Sequence, residues 1–376
     1  MSALKLAKLV GIEHSIIQAP MAGGTTTPEL VAAVSNVGAL GSLGAAYLTP
    51  EQIAAEIAGI RRLTSRPFCV NLFVPPPAPA DDSWDPTAVL AFLAAHYAAL
   101  GLPPPEVPTS LTPDSEAQWA VVLAENVPVF SFTFGVPDPA LISRFQAGGT
   151  RVLGTATTVA EARILADAGV DGVVAQGSEA GAHRATFSVG FEESLVGTMA
   201  LVPQVVDAVD VPVIASGGIM DGRGIVAVEA LGAAGVQLGT AFLTTHEAGT
   251  SAAYRNAVLR ARDDETVITR AFSGRPARGI LNAFIREMAA PDAPEPLPFP
   301  VQNALTGPMR RAAAQLGDAD RLALWAGQGA PLARALGAGE LVERLLEERA
   351  SVLRGLSTAE GFSLPTDLTT QDIPSR

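Results

Sequence analysis

Short apolar runs alternate along this chain with longer stretches in which apolar residues recur at helical spacing. The runs are continuous rather than alternating, as in strands that are buried on both faces. Eight strands are predicted: 16–19, 39–43, 68–73, 127–132, 151–156, 172–175, 211–215 and 235–238. Because helical stretches separate most of them, the pattern indicates a parallel α/β architecture.

Helix-start signals fall between these runs. Thr27, Thr49 and Thr158 each stand where a hydroxyl would cap the following helix, and proline follows the first two at the first helical position. A further helix is predicted over 222–231, between the last two strands. Regular alternation of strand and helix is thus expected through most of the chain.

A (β/α)₈ TIM barrel over residues 1–242 is the predicted fold, although a doubly wound open sheet would accommodate the same elements. Polar residues and glycines recur at the carboxyl ends of the strands, which meet at one site in a barrel. Residues 75–116 are proline-rich and form a predicted excursion after the third strand, with a helix over 87–100. A helical extension over 243–356 should pack on the barrel, and 357–376 resembles a loose tail.

Composition excludes several classes of function. The net charge of -13 disfavours nucleic acid and anionic membranes as partners. Lys5 and Lys8 are the only lysines, so a Schiff base at a strand end is excluded. Cys69 is the only cysteine, which rules out an internal disulfide and a thiolate metal cluster. No signal-peptide pattern or membrane span is evident, and a cytoplasmic location is expected.

The last two predicted strands end in glycine-bearing loops. Gly217 and Gly218 follow one strand, and Gly239 and Thr240 follow the next. A phosphate needs several backbone N–H donors at once, and barrels frequently build that site from the loops after strands seven and eight. These loops predict a phosphate site, although glycines that only form tight turns would give the same pattern.

Other strand ends carry candidate binding residues. Pro20, Met21 and Ala22 end the first strand and would offer backbone to a flat ring, unless the glycine pair that follows only turns the chain. Asn71 alternates with apolar residues, so its side chain points inward and needs a partner, which is either a cofactor or a backbone group. Gln176 closes the sixth strand, where its amide would face the same mouth.

One histidine is the candidate reacting group. Of the four histidines, only His183 lies in a glycine-framed loop after a strand. An isolated histidine is more often structural, but a position on the active face of a barrel favours catalysis. Cys69 lies inside a strand and is predicted to be a small core residue.

Together these segments resemble the nitronate monooxygenases, formerly called 2-nitropropane dioxygenases, and most closely the bacterial class I group. The resemblance runs from Gln18 to about Leu345. The matching stretches are QAPMAGGTTTPELVAAVSNVGALGSLGAAYL from Gln18, NLFVP from Asn71, GTATTVAEARILADAGVDGVVAQGSEAGAHR from Gly154, PVIASGGIMDGRGIVAVEALGAAGVQLGTAFL from Pro212, QNALTGPMRRAA from Gln302 and LWAGQG from Leu324.

The resemblance implies an FMN-dependent oxidation of alkyl nitronates, such as propionate 3-nitronate, by O₂ to a carbonyl compound and nitrite, with no metal. His183 would be the catalytic histidine, either holding the nitronate as an imidazolium or removing a proton from a nitroalkane. The residues implied to contact FMN are Pro20, Met21, Ala22, Asn71, Gln176, Gly181, Gly217, Gly218, Gln237, Gly239 and Thr240. A homodimer is a further expectation.

Three departures from the family pattern concern the substrate end. Ala182 replaces a common glycine, and Phe299 stands where relatives often carry tyrosine. Relatives also have a pocket lysine in the C-terminal part, for which Arg310 or Arg311 is the expected replacement. Two other functions remain open: an FMN-dependent NAD(P)H reductase of quinones or enoyl thioesters, and a barrel that binds a phosphorylated ligand without catalysis.

Overall fold

The computed structural model describes residues 3–75 and 84–358 and contains a closed parallel barrel. In chain order the strands are β1 (Ile16–Gln18), β2 (Gly41–Gly44), β3 (Phe68–Phe73), β4 (Val129–Thr133), β5 (Arg151–Ala156), β6 (Gly172–Gln176), β7 (Ala182–His183), β8 (Val213–Ser216), β9 (Gly235–Leu238), β10 (Thr266–Thr269) and β11 (Ala277–Ile280). Eight of them pair in the order β1-β9-β8-β6-β5-β4-β3-β2. A parallel bridge between Ile17 and Leu40 joins the two edge strands. The TIM-barrel prediction is confirmed, and the open sheet is excluded.

Helices separate the barrel strands and continue beyond them. In chain order they are α1 (Ala3–Val10), α2 (Pro28–Asn36), α3 (Pro50–Leu63), α4 (Thr87–Ala99), α5 (Ser115–Ala124), α6 (Pro139–Ala147), α7 (Val159–Asp167), α8 (Thr198–Val206), α9 (Gly222–Ala230), α10 (Ala252–Arg260), α11 (Ala283–Met288), α12 (Val301–Leu316) and α13 (Ala338–Thr358). No helix in the described ranges is long and apolar enough to cross a membrane.

The predicted helix starts are confirmed at the three threonines. The hydroxyl of Thr27 accepts a hydrogen bond from the Leu30 N–H at 3.1 Å, and Thr49 and Thr158 cap their helices in the same way. Helices α1, α5, α6 and α8 were not predicted. Helix α5 begins inside the predicted excursion, whose residues 76–83 lie outside the described ranges.

The barrel interior consists of two layers, which follow from the alternation of side chains along each strand. The lower layer is apolar and is closed at the amino-terminal end by Leu6 and Val10 of α1. It contains Ile17, Leu40, Cys69, Val129, Leu153, Val174 and Ile214. Two residues further along their strands, the upper layer is polar: Asn71, Ser131, Thr155, Gln176 and Ser216. Cys69 is therefore a buried core residue, as predicted.

The C-terminal part contains two strands as well as the predicted helices. Strands β10 and β11 form an antiparallel ribbon, and β11 also pairs with β7, where Ala277 lies opposite His183. The extension thus shares a sheet with the loop that follows β6. Helix α13 packs against α9 and α2. The predicted tail begins within α13, and residues 359–376 lie outside the described ranges.

Candidate active site

A cavity of about 650 Å³ opens at the carboxyl ends of the barrel strands. The polar upper layer forms its floor, and the C-terminal part forms much of its wall. Every predicted site residue lines it: Pro20, Met21, Ala22, Asn71, Gln176, Gly181, His183, Gly217, Gly218, Gln237, Gly239 and Thr240. The structure therefore brings the predicted residues together in one place, while their contacts with a cofactor remain predictions.

The loop after β8 presents free backbone donors at one end of this cavity. Gly217 and Gly218 have φ of 111° and 73°, values that favour glycine because a Cβ would strain the backbone. Their N–H groups make no backbone hydrogen bond within the described part of the chain. Loop amides of this kind are suited to a phosphate.

The N-terminus of α9, by contrast, is already capped. The Asp221 carboxylate accepts from the Arg223 N–H at 2.9 Å, and the Glu348 carboxylate accepts from the Gly222 N–H at 3.2 Å. A phosphate would meet repulsion from these carboxylates. The candidate anion site consequently depends on the loop amides rather than on the helix.

A C-terminal segment, residues 326–329, completes this end of the cavity. The Gly327 N–H donates to the Thr240 hydroxyl at 2.9 Å, and the Gln328 N–H donates to the Glu179 carbonyl at 3.0 Å. A Cβ on Gly181 would lie 2.5 Å from the Gly327 nitrogen, so only glycine permits this approach. The segment belongs to a stretch that resembles the family but was not predicted as a site. The sequence Gly327-Gln328-Gly329 is the signal that could have indicated this close approach of the two backbones.

Gly239 has room for a ligand rather than for a neighbouring side chain. A Cβ at this position would come no closer than 3.5 Å to any described atom, the nearest being the Ala19 Cβ. Its φ of -104° is also ordinary for any residue. Neither the packing nor the backbone conformation of the described chain requires glycine at position 239. A ligand lying against the backbone would require it.

The inward-pointing amides bond to the protein. The Asn71 amide donates to the Ser131 hydroxyl at 2.9 Å, a side-chain partner that was not predicted, while a contact with a cofactor stays a prediction. The Gln176 amide donates to the His183 carbonyl at 3.1 Å and accepts from the Ala185 N–H at 3.0 Å. Gln176 therefore shapes the segment that carries His183.

His183 lies in an aromatic enclosure within the same cavity. The ring centroids of Phe134, Phe299 and Trp325 are 5.7, 6.0 and 5.8 Å from that of His183. The imidazole Nε2 lies 2.8 Å from the Ser273 hydroxyl. Phe299, one of the departures from the family pattern, is thus in direct contact with the candidate catalytic residue.

The hydrogen bonds of Ser273 assign the tautomer of His183. The Ser273 hydroxyl donates its one proton to the Arg275 carbonyl at 3.0 Å, so it accepts from the imidazole Nε2–H. Nδ1 is then the nitrogen with the free lone pair. The imidazole can accept a proton at Nδ1 without losing the contact with Ser273.

The electrostatic surroundings keep this imidazole neutral. Burial, together with the positive charges of Arg275 and Arg310, lowers the pKa of His183 to about 3. Arg275 was not predicted as a site residue. Its guanidinium lies 3.9 Å above the Phe134 ring, and no sequence signal indicated that a residue between two strands of the C-terminal ribbon would reach there.

A buried carboxylate holds the segment that follows His183. Glu161 on α7 is fully buried and accepts hydrogen bonds from the Thr157 N–H at 2.7 Å and the Ser188 N–H at 3.0 Å. It also accepts from the hydroxyls of Thr157 and Thr186 and from the Phe187 N–H. Since all five donors face one carboxylate, Glu161 fixes the position of residues 186–188.

Glu161→Gln should lower the free energy of unfolding by roughly 3 kcal/mol, because it removes a charged acceptor and turns an amide donor towards other donors. Urea denaturation measures the change. Asp167→Asn makes the same charge change at an exposed position on the same helix and should be nearly neutral. Equal stability of the two variants would contradict a structural role for the buried carboxylate.

Comparison with known proteins decides the family. The family model for nitronate monooxygenase matches residues 4–348. The chain belongs to the nitronate monooxygenase family. It is 43% identical over 354 residues to a probable nitronate monooxygenase of Staphylococcus aureus strain Newman, covering 93% of this chain and 98% of the relative.

Two solved structures are also similar to this chain over most of its length. A nitroalkane oxidase from Streptomyces ansochromogenes matches with a TM-score of 0.86 and 44% identity, over 94% of this chain and 99% of that chain. FabK from Thermotoga maritima matches with a TM-score of 0.73 and 30% identity, over 94% and 97%. As a member of the nitronate monooxygenase family, the chain is an oxidoreductase of a flavin-dependent class. The resemblance inferred from the sequence motifs is confirmed.

Proposed function

We propose that this nitronate monooxygenase homologue binds FMN and uses O₂ to oxidise alkyl nitronates to a carbonyl compound and nitrite. Neutral nitroalkanes would enter the same reaction after His183 removes a proton. One observation carries the proposal: a half-buried histidine with a free Nδ1 lone pair lines the same cavity as a loop with free backbone amides. Such a cavity suits a phosphorylated cofactor beside a small reactive group.

The described residues fit FMN. Gly217, Gly218 and Gly239 would hold the phosphate through backbone N–H groups, with the Thr240 side chain supported by the 326–329 segment. The residues that would hold the ring are those that line the rest of the cavity floor: the backbone of Pro20, Met21 and Ala22, the side-chain amides of Asn71, Gln176 and Gln237, and Gly181. The bound flavin would supply the electron-accepting chemistry and the reactivity with oxygen.

His183 is assigned the proton transfer. For a nitroalkane, Nδ1 would accept the proton of the carbon that bears the nitro group, leaving a nitronate beside an imidazolium. The new anion would raise the pKa of the imidazole, so each product of the transfer would stabilise the other. Phe134, Phe299 and Trp325 would exclude water from the pair.

The structure favours one of the two roles that the resemblance implied for His183. With a pKa near 3, His183 is neutral before a ligand binds, at any ordinary pH. A nitronate that enters from solution would therefore meet a neutral imidazole, and its charge would be balanced by the arginines near the cavity. This favours the base function of His183 with nitroalkanes over anion binding.

The pH dependence of nitroalkane turnover tests this assignment. Because the free-protein pKa of His183 lies below its ordinary value, the basic form persists as pH falls, and kcat/KM should stay flat between about pH 5 and pH 7. Steady-state kinetics with nitroethane measures the profile. An acid-side loss with an apparent pKa near the ordinary value of histidine would contradict the neutral environment.

A further inference from the structure

A second polar cluster, distinct from the loop amides, lines the cavity. Helix α12 turns one face to the cavity along its length: Asn303, Ala304, Gly307, Arg310, Arg311 and Ala314. Tyr47, which follows β2, lines the same cavity. Within the described lining there is arginine but no aspartate or glutamate. The wall of the cavity that α12 provides is therefore electropositive.

Two polar atoms of this cluster have no hydrogen-bond partner among the described residues. They are the Tyr47 hydroxyl oxygen and the Arg310 Nε, and both are shielded from bulk water. A buried donor without an acceptor destabilises the fold, because it has lost its hydrogen bonds to water. Proteins retain such groups where a ligand supplies the missing partner.

Arg310 has a fixed position but no described counter-ion. Its Nη2 donates to the carbonyl and to the side-chain oxygen of Asn303, both at 2.9 Å. Burial lowers the pKa of Arg310, and the groups that oppose this shift are the phenols of Tyr47 and Tyr97 rather than a carboxylate, whereas Glu161 opposes the same shift at Arg275. Arg310 is thus a positioned cation whose charge no carboxylate in the described chain balances.

Tyr47 is a permanent donor beside this cation. Burial raises the pKa of its phenol to about 12, and the nearby arginines only partly oppose the shift. Its ring packs edge-on against Phe73, with centroids 5.6 Å apart, and so the phenol has a fixed direction. A protonated hydroxyl and a guanidinium together match an acceptor that has two coplanar oxygens.

We infer that Tyr47 and Arg310 form an anion subsite for the planar two-oxygen group of the substrate, which is either a carboxylate or the nitronate itself. The inference rests on the proposed function and adds the residues that select the substrate. In a nitro acid with a short chain, the carboxylate would contact Tyr47 and Arg310 while the nitro group lies near His183.

Ligand binding to the FMN-loaded protein tests the subsite without turnover. Isothermal calorimetry is run with propionate, which has only the carboxylate, with anaerobic propyl-1-nitronate, which has only the nitronate, and with neutral propionamide. Arg310→Gln should weaken at least one anion about tenfold or more, and Tyr47→Phe about three- to tenfold, without changing propionamide. If only propionate binds more weakly to the variants, the subsite holds the carboxylate of the substrate. If only the nitronate binds more weakly, the subsite holds the nitronate group itself.

Arg311→Gln is the matched control, since it removes the same charge one residue further along α12. It should weaken the anions much less than Arg310→Gln. Equal losses in the two variants, or no loss in Arg310→Gln, would overturn the subsite. Arg310→Lys keeps the charge but not the paired donors, so it gives an intermediate affinity even if Arg310→Gln is unstable. A protein that binds propionate through Arg310 yet oxidises no nitronate would retain the subsite and refute only the proposed function.

Discussion

Replacing His183 with asparagine should lower nitroalkane turnover about 10²- to 10⁴-fold, the range expected when a general base is lost. Turnover of a preformed nitronate should fall less than about tenfold, because that substrate has already lost its proton. The structure supports the difference through the free Nδ1 lone pair and the low pKa of the imidazole. Steady-state kinetics with nitroethane and with ethyl nitronate measures both effects.

His246→Asn is the control for this experiment. His246 is an exposed histidine outside the cavity lining, so its replacement should change neither reaction. Equal losses with nitroalkane and nitronate in His183→Asn would reject the base function. FMN content is measured in parallel, so that a loss of cofactor is not taken for a loss of proton transfer.

Gly217→Ala should weaken FMN binding about ten- to hundredfold. With a φ of 111° the residue lies where a Cβ strains the backbone, and that Cβ would also lie 3.1 Å from the Ala180 nitrogen. Strain of this kind destabilises the loop by roughly 1–3 kcal/mol. A change of loop conformation that relieves the strain would move the loop N–H groups away from the phosphate and weaken binding. Fluorescence titration of the apoprotein with FMN measures the dissociation constant.

Gly149→Ala separates loss of binding from general strain. Gly149 also has a positive φ, of 87°, and has open space around its Cβ position, but it precedes β5 at the opposite end of the barrel. This variant should lose some stability and keep its FMN affinity. An unchanged FMN dissociation constant in Gly217→Ala would show that the phosphate lies elsewhere.

Much of the barrel was predictable because its signals are local. Continuous apolar runs identified all eight barrel strands to within two residues, and threonine caps identified three helix starts. Glycine pairs after strands marked the cavity because backbone conformation is a local property. The missed helix α8 contains Pro203, which breaks the pattern that sequence periodicity relies on.

The surroundings of His183 were not predictable in the same way. Ser273, Arg275 and Trp325 reach the imidazole from positions about 90 to 140 residues further along the chain, through the pairing of β7 with β11. No periodicity indicates such a long-range contact. The protonation state of His183 depends on these partners, so the sequence left both an imidazolium and a neutral base open, whereas the fold favours the neutral ring.

Oxygen uptake by the FMN-loaded protein tests the central claim most directly. Addition of propyl-1-nitronate in an oxygen electrode should give FMN-dependent uptake, with nitrite released in step and no need for NADH. Absence of both uptake and nitrite with any nitronate, together with anaerobic bleaching of the flavin by NADH, would contradict the account and identify a reductase instead.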